Sequence, residues 1–310
     1  MNNLGNAPRR YAHICGWGTA VPQKVLSNKE LARKVDTDDE WIVARTGISQ
    51  RFIASGNETT ATLATGASRE ALDIADIAPD DIDLIIVATC TPEHNFPSTA
   101  SLVQDALGAR NAGAFDMGAA CTGFVYALSV AAQAIQSGAM DTVLVIGAET
   151  LSKIVNWEDR GTCVLFGDGA GACVLRSSEN PGGVLASVLR SDGSGGDLLK
   201  VPAGGSAMPT SYETVRDKLN TIHMNGREVF RFATRVMADA CRDVVASAGL
   251  TMDDIKIIVP HQANKRIIEA AARGLRLPLD RFVVNVDRYG NTSSASIPIA
   301  LCEAVSDGRV

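Results

Sequence analysis

The chain reads Phe115-Asp116-Met117-Gly118-Ala119-Ala120-Cys121-Thr122-Gly123-Phe124 where an apolar, strand-like run meets a helix-like run. Apolar residues recur at helical spacing as far as Gln136, so a strand–turn–helix unit of an α/β fold is predicted. Cys121 falls at the start of the helix, where unpaired N–H groups favour a thiolate and thiol pKa values can fall to about 3.5–7.5. We therefore expect a reactive Cys121, with a buried structural cysteine as the alternative.

Two further polar residues follow apolar runs that read as strands. His261, in Pro260-His261-Gln262-Ala263-Asn264, follows a strand predicted over residues 255–259, and Asn291 lies in a turn after a strand predicted over 282–286. Ligands of α/β sheets gather at the carboxyl ends of strands. A thiol, an imidazole and a carboxamide can together perform acyl-thioester chemistry. A core histidine and a structural turn asparagine are the alternative interpretations.

An internal repeat favours the functional interpretation. Arg69-Glu70 and the later run 80–87 recur, in the same order and at the same separation, as Arg242-Asp243 and the run 253–259. Further on, Ala134-Ile135 with Gly138 matches Ala304-Val305 with Gly308 at a slightly shorter separation, which pairs Cys121 with Asn291. Two duplicated units facing each other would bring both residues into one central cleft.

Composition excludes several classes of function. The net charge of −6 argues against general nucleic-acid binding. No signal peptide or membrane span is indicated, and seven scattered cysteines predict reduced thiols, so we expect a cytoplasmic enzyme with a large core. Neither a metal site nor a bound cofactor is expected, because the sequence has no Cys-x-x-Cys pair and no histidine cluster.

Several ordered motifs give the chain its resemblance to a known family. They run from Ile14-Cys15-Gly16-Trp17-Gly18-Thr19-Ala20-Val21-Pro22, through Glu40-Trp41-Ile42-Val43-Ala44-Arg45-Thr46-Gly47, Asn95-Phe96-Pro97-Ser98 and Phe166-Gly167-Asp168-Gly169-Ala170-Gly171, to Asp307-Gly308-Arg309. The chain resembles the β-ketoacyl-acyl-carrier-protein synthases III of the thiolase-like superfamily. This resemblance implies a five-layered α/β/α/β/α homodimer whose duplicated halves span residues 1–178 and 179–310.

The resemblance also implies the chemistry and the partners. Cys121 would take an acyl group from acyl-CoA, most simply acetyl-CoA. His261 and Asn291 would bind the thioester carbonyl of malonyl-acyl-carrier protein, promote loss of CO2 and so start fatty acid synthesis. Because decarboxylation places negative charge on the thioester oxygen, an imidazole N–H and a carboxamide NH2 are suitable donors.

Further positions carry over from the family. Trp41 resembles the residue that stacks on the CoA adenine, with Arg45 and Arg160 as cationic contacts. Phe96 matches the position that closes the acyl pocket across the dimer interface. Without the resemblance, Trp41 would read as a core aromatic and both arginines as solvated charges.

A basic helix is predicted after His261. Lys265, Arg266 and Arg273 lie on it, Arg266 and Arg273 share nearly the same face, and Arg231 can join them. The resemblance implies a docking surface for acyl-carrier protein here, with Arg266 as the main contact. A solvated helix face is the alternative.

One departure from the family concerns the C-terminal end of the sequence. Members continue past the position of Arg309 with a strand, a glycine-rich loop and a final strand, and the loop donates an N–H group to the acyl oxyanion hole. We therefore expect the second half to be incomplete. Three hypotheses remain open: a condensing enzyme that starts fatty acid synthesis, a related condensing or acyl-transfer enzyme of secondary metabolism, and an inactive truncated binding or dimerisation module.

Overall fold

A mixed five-stranded sheet forms the centre of the structure, a computed structural model that describes residues 9–310. Its strands, in the order β1-β7-β6-β4-β5, are β1 (Tyr11–Ala20), β4 (Leu84–Ala88), β5 (Gly113–Met117), β6 (Thr142–Thr150) and β7 (Asp168–Ser178). β4 runs parallel to β5 and β6, whereas β7 is antiparallel to β6 and β1. Two small sheets pair β2 (Lys24–Ser27) with β3 (Gln50–Ile53) and β8 (Leu199–Lys200) with β9 (His223–Met224).

Eleven helices are found in the described residues. They are α1 (Asn28–Leu31), α2 (Asp39–Thr46), α3 (Thr60–Ala75), α4 (Thr99–Leu107), α5 (Gly123–Gln136), α6 (Arg160–Cys163), α7 (Tyr212–Arg216), α8 (Gly226–Ser247), α9 (Lys265–Leu275), α10 (Val286–Tyr289) and α11 (Ser296–Ser306). Within residues 9–310, none of them combines the length and the apolar character needed to cross a bilayer.

Strand β6 shows why the sheet is covered on both faces. All nine of its residues are buried, and the side chains alternate between two hydrophobic clusters. Leu144 and Ile146 join the cluster that contains α3, whereas Val143 and Val145 join the cluster that contains α5. A strand that is apolar on both faces has to lie between two layers of helices.

Helices α5 and α11 bring distant parts of the chain together on one face of the sheet. Both are preceded by a short 3-10 turn, Ala120–Thr122 before α5 and Ser293–Ala295 before α11. Ile297 and Leu301 of α11 pack against the same cluster as α5. The 3-10 turns that begin the two helices therefore lie close to each other, at the edge where β4 and β5 end.

The structure changes one detail of the predicted repeat. Both helices begin directly after their 3-10 turns, but α11 has 11 residues and α5 has 14. The element bounds therefore pair Cys121, in the middle of its turn, with Ser294 rather than with Asn291. Because α11 is shorter than α5, the residues that match near the ends of the two helices are closer in sequence than those that match at their beginnings.

The strands predicted over 255–259 and 282–286 are not formed as such. A single parallel bridge joins Ile258 to Phe282, with hydrogen bonds of 2.8 Å from Ile258 N to Arg281 O and 2.9 Å from Val283 N to Ile258 O. Val286 already begins α10. Among residues 9–310 these two short segments pair only with each other, and so few ladder hydrogen bonds do not make a stable sheet. The boundary between residues 178 and 179 stays a prediction.

Candidate active site

One cleft of about 520 Å³ contains all three predicted catalytic residues in its lining. Cys121 comes from the turn after β5, His261 from the loop before α9, and Asn291 from the loop between α10 and α11. The rest of the lining is mainly apolar and includes Leu165, Phe166, Leu198, Val229, Phe230, Phe232 and Ile267. We call this cavity the main cleft. An adjoining apolar cleft of about 510 Å³ also reaches Cys121 and His261.

Cys121 differs from its predicted electrostatic environment. It is partly accessible in the 3-10 turn that precedes α5, and burial of the thiol raises its pKa instead of lowering it. The nearby Ser293 hydroxyl opposes this rise in pKa, and the nearby Glu149 adds to it. Helix-start position alone predicted a thiolate, but removal of the sulfur from water outweighs that effect here. The resting group is therefore a neutral thiol.

Asn291 is held so that its amide nitrogen remains available. Its Oδ1 atom accepts a hydrogen bond of 2.9 Å from the N–H of Ser293, and its backbone forms a parallel bridge with Phe166. The residue is buried at 8% exposure, yet it lines the main cleft. Its NH2 group donates to no other residue among 9–310, so it is free to donate a hydrogen bond to a ligand in the cleft.

His261 is neutral in this environment. Burial lowers the pKa of its imidazole to about 4, so the ring carries one hydrogen at neutral pH. Its Nδ1 atom lies 2.7 Å from Oγ of Ser296. The sequence predicted His261 at the end of a strand, and the structure places it in the loop that joins the Ile258 bridge to α9. The ring acts as a neutral hydrogen-bonding group rather than as a cation.

A buried carboxylate beside Cys121 did not emerge from the sequence. Glu149, at the end of β6, is fully buried and accepts hydrogen bonds of 2.6 Å from the Thr91 hydroxyl and 3.1 Å from the Cys90 N–H. Oγ of Ser294 lies 2.9 Å from the same carboxylate. Glu149 therefore ties the loop after β4 to the turn before α11. The sequence did contain a sign of this network, because Glu149 lies near the end of the apolar strand β6 and the polar residues Cys90 and Thr91 follow the apolar strand β4.

Cys90 is a second thiol in this network. Its Sγ atom lies 3.2 Å from Oε1 of Glu149 and 3.8 Å from Oγ of Ser293, the hydroxyl that also lowers the pKa of the Cys121 thiol. Burial and the adjacent carboxylate raise its pKa far above the ordinary thiol value. Although the residue is exposed, its raised pKa makes the Cys90 thiol a weaker nucleophile than an ordinary cysteine at neutral pH.

Trp41, Arg45 and Arg160 form one cluster, although α2 and α6 are far apart in sequence. The guanidinium carbons of Arg45 and Arg160 lie 5.5 Å and 5.2 Å from the centre of the Trp41 ring. Both arginines are exposed and Trp41 is partly accessible. An aromatic face flanked by two guanidinium groups suits a planar, negatively charged ligand. None of the three lines the main cleft.

The predicted docking residues lie beside the cleft on two helices. Lys265 and Arg266 are exposed at the beginning of α9, and Arg266 lies 5.4 Å from the ring of Phe230, which lines the main cleft. Arg231 is exposed on α8, paired with Glu228 at 3.2 Å, and Arg273 is exposed two turns further along α9.

Phe96 lies apart from all these groups. It is 86% exposed in the loop between β4 and α4, and it does not line the main cleft. A phenylalanine presented to this extent contributes little to the folding of its own chain.

Two family models match the chain. The model described as 3-oxoacyl-[acyl-carrier-protein] synthase III matches residues 115–193, and its C-terminal counterpart matches residues 245–310. The first contains Cys121 and the second contains His261 and Asn291. Together with the fold, these matches define an acyltransferase of the condensing-enzyme class.

Known proteins match nearly the whole chain. A β-ketoacyl-[acyl-carrier-protein] synthase III of Caldanaerobacter subterraneus subsp. tengcongensis is 54% identical over 299 residues, which cover 96% of this chain and 90% of that protein. The chain therefore belongs to the β-ketoacyl-acyl-carrier-protein synthase III family, as its motifs predicted.

Solved structures confirm the thiolase-like α/β fold. The 3-oxoacyl-[acyl-carrier-protein] synthase III of Aquifex aeolicus is 48% identical, with a TM-score of 0.89 over 96% of this chain and 92% of that one. A priming β-ketosynthase from the R1128 polyketide biosynthetic pathway is 39% identical, with a TM-score of 0.88 over 100% of this chain and 92% of that one.

Proposed function

We propose that this protein condenses an acyl-CoA primer with malonyl-acyl-carrier protein and so starts fatty acid synthesis. The observation that carries the proposal is that one cleft contains a thiol and two neutral N–H donors, from Cys121, His261 and Asn291. Acetyl-CoA is the proposed primer. We expect the enzyme to work in the cytoplasm as a homodimer, with no bound cofactor.

Acyl transfer would begin at Cys121. The Sγ–acyl bond forms as the bond between the acyl carbon and the CoA sulfur breaks, and the thiol proton leaves with the released CoA. Because the resting thiol is neutral, negative charge develops on sulfur only during the reaction, where the Ser293 hydroxyl stabilises it. This arrangement would limit unwanted reactions of the free enzyme.

Decarboxylation would follow in the same cleft, at His261 and Asn291. Loss of CO2 from the malonyl group leaves an enolate whose negative charge lies on the thioester oxygen. The His261 N–H and the Asn291 NH2 would donate hydrogen bonds to that oxygen, and each such donor is typically worth about 10²–10³ in rate. The enolate carbon then attacks the acyl carbon on Cys121, which forms the new carbon–carbon bond and breaks the Sγ–acyl bond. The released thiolate takes up a proton from water and so returns to the neutral thiol.

Substrate recognition would use the surroundings of the cleft. The Trp41 cluster would hold the adenine and phosphates of CoA through stacking and guanidinium charge. Arg266, with Lys265, Arg231 and Arg273, would attract the acidic acyl-carrier protein. The exposed ring of Phe96 would enter the acyl pocket of a second copy and favour a short primer.

A second candidate is a priming role in secondary metabolism. The likeness to the priming β-ketosynthase of the R1128 polyketide pathway favours it. The same three cleft residues would serve both reactions, so only the preferred primer and carrier protein distinguish the two.

Mass spectrometry tests the proposal directly. After incubation with acetyl-CoA, we expect a single acetyl group on Cys121 and none on the Cys121→Ser variant. Cys241→Ser, which removes a partly buried thiol of α8, is the matched control and should still be acetylated. A panel of longer acyl-CoAs distinguishes the second candidate.

Separate assays of the two steps test the division of roles. His261→Ala should accept the acetyl group but lose about 10²–10³ of its malonyl decarboxylation rate. Equal loss of both steps would contradict the proposed roles. A folded protein that takes no acyl group from any member of the panel would instead support the inactive binding module.

A further inference from the structure

Ser296, the first residue of α11, contacts His261 but does not line the main cleft. Its Oγ atom lies 2.7 Å from Nδ1 of His261 and 2.9 Å from the backbone nitrogen of Gln262. The side chain is buried, with 2% exposure. This hydroxyl has no part in the roles described so far, yet it touches the ring that the proposed decarboxylation needs.

The hydrogens at this contact can be placed by elimination. The backbone N–H of Gln262 can only donate, so the Ser296 oxygen accepts there. The hydroxyl hydrogen then needs an acceptor of its own. Among residues 9–310, Nδ1 of His261 is the only acceptor within hydrogen-bond distance of this hydroxyl. If Nδ1 carried a hydrogen, the buried hydroxyl would donate to nothing, which is unfavourable.

We propose that Ser296 is a positioning residue that holds His261 in the tautomer with hydrogen on Nε2. Nδ1 is then occupied as an acceptor, and the Nε2–H is the donor left for the cleft. The inference rests on the proposed function, in which His261 donates to the thioester oxygen. The opposite tautomer would present a lone pair to the developing negative charge and repel it.

Gln262 keeps the serine from turning away. Its buried side-chain amide donates to the carbonyls of Pro260 and Val283, both at 3.0 Å, and its Oε1 accepts from the N–H of Asn285 at 3.0 Å. These three bonds fix the peptide whose N–H points at Ser296. Since the backbone N–H and both side-chain polar atoms of Gln262 have partners, the position of the serine oxygen is set by buried structure rather than by solvent.

Nitrogen NMR of protein labelled with ¹⁵N-histidine tests the tautomer without any substrate. The chain has four histidines, and comparison with a His261→Gln variant assigns the signals of His261. We expect an unprotonated Nδ1 and a protonated Nε2 in the unmodified protein and in Ser296→Thr, which keeps the hydroxyl. Ser296→Ala should give a mixture of tautomers. Ser68→Ala, which removes another fully buried helix hydroxyl, is the matched control.

Kinetics then connect the tautomer to the reaction. Ser296→Ala should retain acetyl capture by Cys121 and lose malonyl decarboxylation by about 10- to 100-fold, the range found when the hydrogen-bond partner that orients a metal-ligating histidine is removed. A protonated Nδ1 in the unmodified protein would overturn the inference, as would a Ser296→Ala variant with unchanged tautomer and rate. If the tautomer responds as expected but His261→Ala decarboxylates normally, the proposed function fails while the role of Ser296 in the tautomer stands.

Discussion

Two neutral hydrogen-bond donors, from Asn291 and His261, line the main cleft beside Cys121. Asn291 has its oxygen bound to the Ser293 N–H, and His261 is kept neutral by burial. Neutral donors bind a developing oxyanion strongly in a water-poor site, whereas an imidazolium there would need a permanent counter-ion. The polarity of the site therefore depends on a few backbone and hydroxyl contacts close to the two side chains.

The pH dependence of decarboxylation should reflect this neutrality. With a pKa of about 4, His261 does not titrate between pH 5 and 8, so malonyl decarboxylation should show no ionisation near 6.5, the ordinary histidine value. Stopped-flow or CO2-release rates of the isolated step provide the measurement. An inflection near 6.5 that disappears in His261→Gln would contradict it.

Stability should change with pH for the same reason. The pKa of His261 in the folded protein lies below its unfolded value of 6.5. Its contribution to the free energy of unfolding is therefore complete above pH 6.5 and is lost as the pH falls towards 4. Relative to His261→Gln, the unmodified protein should lose on the order of 2 kcal/mol of unfolding free energy between pH 7.5 and 4.5. Urea denaturation at both pH values measures the difference.

At the scale of single elements, α9 links the cleft to the proposed carrier-protein surface. Nδ2 of Asn264, which precedes the helix, donates to the carbonyl of Arg45 at 3.0 Å. Gly47, with φ of 78° at the end of α2, lies so close to α9 that a Cβ there would be 2.5 Å from Cβ of Lys265. The basic beginning of α9 therefore has a fixed position beside the Trp41 cluster.

Reversing one charge on α9 tests the docking surface. Arg266→Glu should raise KM for malonyl-acyl-carrier protein about tenfold, equivalent to about 1.4 kcal/mol, and leave acetyl capture from acetyl-CoA unchanged. Arg110→Glu, at an exposed arginine in the turn after α4, is the matched control and should alter neither. Unchanged carrier-protein kinetics in Arg266→Glu would refute the docking surface.

At the scale of the molecule, glycines on the sheet allow α11 to approach it. A Cβ at Gly147 of β6 would lie 2.2 Å from the carbonyl oxygen of Ser294, and one at Gly171 of β7 would lie 2.8 Å from the nitrogen of Ile299. Only a missing side chain permits such contacts. They bring the turn that carries Ser293 and Ser294 against the end of β6, where Glu149 lies.

Adding a side chain at one of these glycines should weaken the packing of α11 and its preceding turn against the sheet. Gly147→Ala forces Ser294 away from β6, and overpacking of this kind typically costs about 1–3 kcal/mol. Chemical denaturation monitored by circular dichroism should show this loss, together with slower acetyl capture at Cys121. Gly205→Ala, where a Cβ meets no atom within 4 Å, is the control. Equal stability of the two variants would exclude the close approach.

The sequence predicted the order of motifs better than their environments. Cys121 and Asn291 line one cleft, as the predicted repeat indicated, and His261 lines the same cleft. The pKa shift of Cys121 could not be predicted locally, because its burial comes from distant segments. The sequence also could not predict that residues 255–259 and 282–286 form only one bridge, at Ile258. An apolar pattern indicates that a segment prefers to be a strand, but it does not show whether a neighbouring strand is there to pair with it.

The contact between Asn264 and Arg45 has a consequence for the timing of turnover. If the nucleotide of CoA binds to the Trp41 cluster and the carrier protein binds to α9, the two substrates use adjoining binding surfaces. Binding of one would then hinder binding of the other, so free CoA has to dissociate before malonyl-acyl-carrier protein binds. Either substrate in large excess would bind to the wrong form of the enzyme and slow turnover, which is substrate inhibition.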